Sequence, residues 1–219
     1  MVFLGPPGAG KGTIAQAMAE AFGITQISTG SLLREEVESQ TELGKKAKAI
    51  MDAGQYVDDE TVASIVENKL ASMGKEKGFI LDGFPRTIKQ AEMLESIMQK
   101  LGIALDAVLD IEASDDTIIE RLGGRVQCSK CGKVYNLKNV PPEEEGKCDG
   151  CSGKLVKRDD DKPEIIKMRL ETYRKKTEPL ISHYREKRLL LTIDANGALK
   201  ENIDNAEKAL KRINEKKGE

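Results

Sequence analysis

The sequence has little of several residue types that common chemistries require. It contains one histidine, no tryptophan and only 4% aromatic residues in 219. Ser-His-Asp and Cys-His mechanisms would both depend on the single His183, which lies in a polar segment near the end of a predicted helix. We therefore interpret His183 as an ordinary surface or helix-end residue, and we look for chemistry that needs no histidine base.

A strong net charge and long apolar runs are also missing. The 35 Lys and Arg residues against 37 Asp and Glu give a net charge of -2, which supplies no overall basic field for nucleic acid. Any anion site must therefore be local. No apolar run approaches the length of a membrane span, and the first residues do not resemble a secretory signal. We expect a cytoplasmic globular protein.

The four cysteines form two CxxC pairs. Cys128 and Cys131 make the first pair, and Cys148 and Cys151 make the second, sixteen residues further on. This spacing is typical of a zinc site in which four thiolates surround a tetrahedral ion. Two disulfides or four unligated thiols are the alternatives, but a reducing cytosol disfavours disulfides. We predict a structural Zn²⁺, because four thiolates leave no open position for a catalytic water.

Short apolar runs alternate with helical patterns along the chain. The predicted strands cover residues 2–4, 25–28, 79–81, 107–111 and 189–193. Apolar residues recur at helical spacing after Lys11, after Asp58 and after Thr87, and Asp58 and Thr87 are predicted to cap the helices that follow them. A helix starting near Pro163 is predicted to kink at Pro179. This alternation predicts an α/β fold with a five-stranded parallel sheet covered on both faces. Two segments, 28–57 and 124–161, do not fit the alternation, and we interpret them as insertions.

A glycine-rich loop links the first predicted strand to the first helix. It reads GPPGAGKGT over residues 5–13. Glycines let backbone N–H groups turn inward, the helix N-terminus adds positive potential, and Lys11 would reach the terminal phosphates of a nucleotide. The strict phosphate-loop pattern places Ser or Thr directly after the lysine, whereas here Gly12 intervenes and Thr13 follows. The dinucleotide fingerprint fails, because its third glycine would fall at Thr13.

Four further segments make the pattern more specific. They are STGSLLR at 28–34, GFILDGFPRT at 78–87, RLGGR at 121–125 and RDDD at 158–161. With these motifs the chain resembles the adenylate kinases, nucleoside monophosphate kinases of the P-loop class, over nearly its full length. Gly12 before Thr13 is normal in that family, and a zinc-bearing lid is found in many bacterial members. Ser31 departs from the Asp that is common at this position.

The resemblance implies a P-loop NTPase-like three-layer core and reversible, Mg²⁺-dependent phosphoryl transfer from ATP to AMP, giving two ADP. It implies that the ATP site comprises Gly8, Ala9, Gly10, Lys11, Gly12, Thr13, Arg121 and Arg125, with Val134, Tyr135 and Gly197 at the adenine end. It implies that the AMP site comprises Thr29, Arg34, Gln55, Tyr56, Val57, Gly83, Phe84, Pro85, Arg86 and Gln90, with Arg158 and Arg169 clamping the transferring group.

The chemistry of transfer fits this inventory. A monophosphate acceptor has a second pKa of roughly 6 and is already mostly ionised at neutral pH, so no base need activate it. In-line positioning and positive charge are the requirements, and Mg²⁺ would be anchored by Asp82. The residues predicted to act in catalysis are Lys11, Asp82, Arg86, Arg125, Arg158 and Arg169.

The resemblance also divides the chain. A core domain would cover residues 1–27, 58–123 and 162–219, an NMP-binding insertion residues 28–57, and a zinc-binding lid residues 124–161, with both insertions closing to exclude water. We expect a monomer whose partners are ATP, AMP and ADP, with no nucleic acid and no membrane.

Several alternatives stay open on the sequence. The acceptor could be another monophosphate such as CMP or UMP, and a zinc ribbon could instead grip RNA. Arg169 could simply pair with Glu164 or Asp161. Gln90 could serve only as the capping partner of Thr87, and Asp82 could be a structural carboxylate at a strand end.

Overall fold

The computed structural model describes residues 1–74 and 77–217, of which residues 212–217 are described by their backbone alone. Within these residues the predicted α/β fold is confirmed. The central sheet consists of β1 (Val2–Leu4), β2 (Thr25–Ser28), β3 (Phe79–Asp82), β4 (Val108–Glu112) and β8 (Leu190–Asp194). Its strand order is β2-β3-β1-β4-β8, and all neighbouring strands run parallel. The last two strands begin one residue later than the sequence predicted.

The first strand occupies the middle of this sheet. Val2 pairs with Leu81 on one side and with Val108 on the other. Because the strands are parallel, their carboxyl ends meet at one edge, where the chain leaves β1 and β3 in loops that face each other. Ligands of open α/β sheets bind at such a carboxyl edge.

Helices cover both faces of the sheet. They are α1 (Lys11–Phe22), α2 (Thr29–Glu38), α3 (Glu42–Asp52), α4 (Asp59–Ser72), α5 (Ile88–Leu101), α6 (Asp115–Gly123), α7 (Pro163–Lys176), α8 (Pro179–Glu186) and α9 (Leu199–Lys217). The predicted caps are confirmed at Asp58 and Thr87, whose side chains accept N–H bonds from Thr61 and Gln90. The predicted kink at Pro179 is instead a break, because α7 ends before that proline starts a new helix.

Alternating side chains of the strands divide the apolar core in two. Val2 and Leu4 pack on one face of the sheet with residues of α4, α5 and α8. Phe3 packs on the opposite face with residues of α1 and α9. Burial of each large apolar side chain contributes roughly 1.5–3 kcal/mol, so this double core holds the carboxyl edge of the sheet rigid.

A second, antiparallel sheet lies between α6 and α7. It contains β5 (Arg125–Cys128), β6 (Val134–Asn136) and β7 (Leu155–Val156) in the order β6-β5-β7, and a 3₁₀ turn at Asp159–Asp161 follows it. Its apolar cluster is small and includes two of the cysteines.

Among the described helices, none combines the length and the apolar character needed to cross a lipid bilayer.

Candidate active site

A cavity of about 950 Å³ opens at the carboxyl edge of the central sheet. The phosphate-loop segment forms its floor, α2 and the segment after α3 form one wall, and the antiparallel sheet forms the other. Every residue predicted to bind nucleotide lines this cavity except Phe84, whose side chain is buried in the core. Phe84 is therefore a core residue, and Gly83 and Pro85 on either side of it line the cavity.

The glycine-rich loop adopts a conformation that other residues would resist. Gly8 and Gly10 have φ of 87° and 97°, in the left-handed region that favours glycine. A Cβ on Gly8 would also lie 2.8 Å from Cγ of Leu122. The loop leads directly into α1 at Lys11, so the free N–H groups of the first helical turn face the cavity. This is the geometry of a phosphate cradle.

The ammonium group of Lys11 folds back over the loop. Its Nζ donates hydrogen bonds to the carbonyl oxygens of Gly5, at 2.6 Å, and Pro6, at 2.7 Å. Burial lowers the pKa of Lys11 to about 8, while the charge of Asp82 opposes this shift and that of Arg86 adds to it. Lys11 is therefore still mostly charged at neutral pH, and a phosphate would compete with the two carbonyls for it.

The acceptor wall is built around Gly83, which follows β3 with a φ of 82°. Its carbonyl oxygen accepts hydrogen bonds from the buried Thr29 hydroxyl, at 2.8 Å, and from Nε of Arg86, also at 2.8 Å. The Arg86 guanidinium lies over the Tyr56 ring, 4.9 Å from its centroid. Thr177 joins this group by hydrogen bonds to Tyr56 and to the Arg86 carbonyl.

Gln90 holds the loop that carries Arg86. Its Oε1 accepts the backbone N–H of Arg86 at 2.7 Å, and its Nε2 donates to Asp59 at 2.8 Å. The hypothesis that Gln90 serves only as the capping partner of Thr87 is therefore wrong, since its side chain bonds to other groups. Gln90 is 1% exposed, which fixes its position at the cavity wall.

Arg34 extends from α2 toward the same wall. Its guanidinium donates a hydrogen bond to the Ser31 hydroxyl at 3.2 Å, so Ser31 orients the arginine. Burial, followed by repulsion from Arg158, lowers the pKa of Arg34 to about 9, which leaves it charged at neutral pH. Because burial removes water from the charged guanidinium, an anionic ligand beside Arg34 would stabilise it strongly.

Three arginines meet at the 3₁₀ turn after the antiparallel sheet. Arg125 makes a two-pronged ion pair with Asp161, and Arg158 makes another with Asp160, with Nε at 2.8 Å from Oδ1. Arg169 lies 3.2 Å from an oxygen of each aspartate. The interpretation that Arg169 pairs with an acid is thus correct for Asp161, yet the same residue also lines the cavity.

The two aspartates were not predicted as site residues, although the RDDD segment contains them. Burial of Asp160 opposes its ionisation, but the charges of Arg169 and Arg158 outweigh burial and lower its pKa to about 2. The acid is therefore charged at any physiological pH. It balances part of the positive charge that surrounds the cavity.

The far end of the cavity contains Arg121 and Gly197. Arg121 donates to the carbonyl oxygen of Ala9 at 3.1 Å and to that of Gly197 at 3.0 Å, so it joins the phosphate-loop segment to the loop before α9. Val134 is 41% exposed beside the cavity, whereas the neighbouring Tyr135 is only 3% exposed. Val134 is therefore the more accessible of these two residues of β6.

The four cysteines converge in the antiparallel sheet. All four Sγ atoms lie within 4.8 Å of one another, and the closest pairs, Cys128 with Cys151 and Cys131 with Cys148, are 3.5 Å apart. Four sulfurs placed about 2.3 Å from one tetrahedral ion would be separated by about 3.8 Å. The thiols are free rather than joined as disulfides, and the cluster fits a metal ion.

Asp110 on β4 is a further buried acid that the sequence analysis did not single out. It is 0% exposed, and both carboxylate oxygens lack a hydrogen-bond partner among the described residues. Burial, reinforced by Glu112, raises its pKa to about 6. The segment VLDIE reads as a buried strand, so the sequence carried no signal that its acid would be unpaired.

Comparison with known proteins agrees with this geometry. The family model for adenylate kinase matches residues 3–189. Similar proteins include the adenylate kinases of Archaeoglobus fulgidus, 50% identical over 89% of both chains, and of Caldicellulosiruptor saccharolyticus, 52% identical over 88% of this chain and 89% of that one. That of Thermodesulfovibrio yellowstonii is 48% identical over 92% and 94% of the two chains.

A phosphate-binding loop that faces an arginine-lined acceptor wall across one cavity defines a nucleoside monophosphate kinase. Within that class, the family match and these identities are decisive: the chain belongs to the adenylate kinase family.

Proposed function

We propose that the protein catalyses the reversible transfer of the terminal phosphoryl group of ATP to AMP, giving two ADP. One observation carries the proposal. Lys11 of the phosphate loop and the arginines of both walls converge on a single cavity of about 950 Å³. Such convergence of positive charge is what transfer between two phosphates requires.

ATP would bind with its phosphates on the glycine-rich loop. The N–H groups that face the cavity at the start of α1 would hold the β-phosphate, and Lys11 would leave the carbonyls of Gly5 and Pro6 for the phosphate oxygens. Arg121 and Arg125 would add positive charge from the lid side. Val134 and Gly197 would contact the adenine end.

AMP would bind on the opposite wall. Arg34 and Arg86 would hold its phosphate, and the Thr29 region with Gln90 would contact its base. Arg158 and Arg169 lie between the two walls, where the transferred group would pass. Because the AMP phosphate is already ionised, these side chains need only orient it and stabilise the charge of the transition state.

Mg²⁺ would accompany ATP, and the residues present fit it. Asp82 ends β3 beside the phosphate loop, where a Cβ on Gly12 would lie 3.3 Å from its Oδ2. Carboxylate and hydroxyl oxygens are the ligands that Mg²⁺ prefers, and it usually keeps several waters. Asp82 with the neighbouring Thr13 would hold the hydrated ion, which supplies charge neutralisation between the phosphates.

Zn²⁺ is the ion proposed for the cysteine cluster. Four sulfur ligands in a tetrahedral arrangement suit zinc. They also fill its coordination sphere, so the proposed role of the ion is structural. The antiparallel sheet has a small apolar cluster, and metal binding would supply the stability that this cluster lacks.

The domain division proposed from sequence follows the same logic. Residues 28–57 hold α2 and α3, residues 124–161 hold the antiparallel sheet, and the rest forms the core. Closure of both insertions over bound nucleotides would exclude water, which would otherwise hydrolyse ATP. We propose that the protein is a monomer and that it works in the cytoplasm, where a reducing environment keeps the clustered thiols available to a metal ion.

The test is ADP formation from Mg-ATP with AMP, CMP, UMP and GMP offered separately, beside a control without acceptor. We expect rapid turnover with AMP and little without an acceptor. Turnover only with a pyrimidine acceptor would keep the chemistry and overturn the assigned base, and no turnover with any acceptor would overturn the proposal.

A matched pair of variants tests the acceptor wall. Arg34→Ala should raise KM for AMP roughly 10- to 100-fold, because a buried charge-assisted contact to phosphate contributes roughly 1.5–3 kcal/mol. Arg174→Ala is the control, since Arg174 is a half-exposed surface arginine paired with Asp115. Equal KM values for AMP in the two variants would contradict the placement of Arg34.

A further inference from the structure

Tyr135 borders the cavity, and its side chain also packs against the cysteine cluster. It belongs to the apolar cluster of the antiparallel sheet together with Cys128 and Cys148. Its neighbour Val134 is the accessible one, because successive side chains of a strand point to opposite faces. The buried side chain of Tyr135 therefore has contacts that differ from those of Val134.

The phenol oxygen of Tyr135 contacts two groups of the second CxxC pair. It accepts the backbone N–H of Asp149 at 2.9 Å, and it lies 3.4 Å from Sγ of Cys148. An amide N–H can only donate, so the phenol's own proton stays free to be donated elsewhere. A sulfur that binds a metal is a thiolate, which has no proton and can only accept. The second contact is thus an O–H···S hydrogen bond from tyrosine to cysteine.

This hydrogen bond connects parts of the lid that are distant in sequence. In the first CxxC pair, the sulfur of Cys128 accepts a local bond from the N–H of Lys130 at 3.3 Å. In the second pair, the donor comes from β6 and fixes both the sulfur of Cys148 and the backbone at Asp149. The Lys133 ammonium, 5.3 Å from the centroid of the Tyr135 ring, packs over the face of that ring.

We propose that Tyr135 is a positioning residue for the metal centre, in which its hydroxyl orients Cys148 Sγ toward the ion. The inference rests on the proposed metal site. Groups that hydrogen-bond to metal ligands commonly change metal affinity 10- to 100-fold when removed. In this protein, the strand that borders the adenine end would then also hold one sulfur ligand in place.

The experiment compares full-length Tyr135→Phe with wild type and with Tyr184→Phe. Phenylalanine keeps the packed ring and removes only the hydroxyl. Tyr184 is a suitable control because it is 1% exposed on α8, and its hydroxyl lacks a hydrogen-bond partner in the described part of the chain. Zn²⁺ affinity is measured by competition with a chromogenic chelator, and the sulfur-to-metal absorption bands are recorded after Co²⁺ substitution.

We expect Tyr135→Phe to bind Zn²⁺ about 10- to 100-fold more weakly and to shift the Co²⁺ absorption bands, with no such change in Tyr184→Phe. Melting temperatures of the metal-free proteins show whether the substitution disturbs the packing of the fold or only the position of the metal ligand. Equal Zn²⁺ affinity and identical spectra in Tyr135→Phe and wild type would overturn the inference, as would a loss of stability confined to the metal-free form. A wild-type protein that takes up no Zn²⁺ would overturn the metal site itself.

Discussion

Asp160 is the acid through which the protein neutralises two of its cavity arginines. Its side chain is 18% exposed, and it pairs with Arg158 and Arg169. Asp160→Asn keeps the shape of the side chain and removes its charge, imitating the protonated acid. Both arginines would then keep their positions but lose the partner that compensates their burial.

The magnitude follows from the pKa of Asp160. Burial opposes ionisation, the charges of Arg169 and Arg158 favour it, and the pKa falls from 3.8 to about 2. At 1.36 kcal/mol per pKa unit, this difference corresponds to about 2 kcal/mol of stability at neutral pH. A lowered pKa stabilises the folded state above the unfolded value of 3.8, and the stabilisation disappears as the pH falls toward 2. At pH 3 about 1 kcal/mol would remain.

Urea unfolding of wild type and Asp160→Asn at pH 7 and pH 3 measures both quantities. We expect the variant to be less stable by about 2 kcal/mol at pH 7 and by about half of that at pH 3. Asp159→Asn is the matched control, because Asp159 is 77% exposed and lies 3.9 Å from Lys162; its effect should be under about 0.5 kcal/mol. A pH-independent difference, or none, would refute the electrostatic reasoning.

Three further predictions concern other parts of the molecule. Lys11→Met should lower the transfer rate by roughly 10²–10³-fold or more with an unchanged melting temperature, and near-normal turnover would contradict the phosphate site. Asp110→Asn should raise the free energy of unfolding at pH 7.5 by about 1–3 kcal/mol, because a pKa raised to about 6 means that the charged acid destabilises the fold above that pH. The gain should vanish below about pH 4 in urea titrations. Cys128→Ser should lower the melting temperature by roughly 5–10 °C yet leave most room-temperature activity, and the reverse pattern would argue against a structural metal.

The features that sequence could predict are those in which neighbouring residues carry the signal. The sequence predicts β1 and the phosphate cradle, because three apolar residues are followed directly by a glycine-rich loop. The strand, the turn and the start of the helix are contiguous in sequence. The CxxC spacing identifies the cysteine cluster for the same reason. Caps at Asp58 and Thr87 follow from local hydrogen bonding to the next turn.

The features that sequence could not predict depend on contacts between distant segments. The pairing of Arg125 with Asp161 joins residues that are 36 positions apart. Asp160 is close to Arg158 in sequence, but closeness in sequence does not by itself establish that the two side chains pair. Gln90 bonds to Asp59 on another helix, a contact that its own sequence neighbourhood does not indicate. The buried hydroxyl of Tyr135 belongs to this group as well, since strand alternation alone does not say which face meets the cysteines.

The hydrogen bonds of the residues that line the cavity give a physical link between nucleotide binding and the proposed closure. Cations that would hold a phosphate already have acceptors within the protein. Lys11 and Arg121 donate to carbonyl oxygens, whereas Arg125 pairs with Asp161 and Arg158 pairs with Asp160. A phosphate oxygen would therefore replace an existing acceptor rather than satisfy a vacant donor, so the net gain per contact is smaller than its gross energy. In sequence, Arg125 begins the antiparallel sheet and Asp161 follows it, directly before α7. If Arg125 exchanged Asp161 for a phosphate, the sheet would lose one of its contacts with the segment that leads into α7. The charge of the nucleotides would in this way act directly on the segment that we propose closes over them.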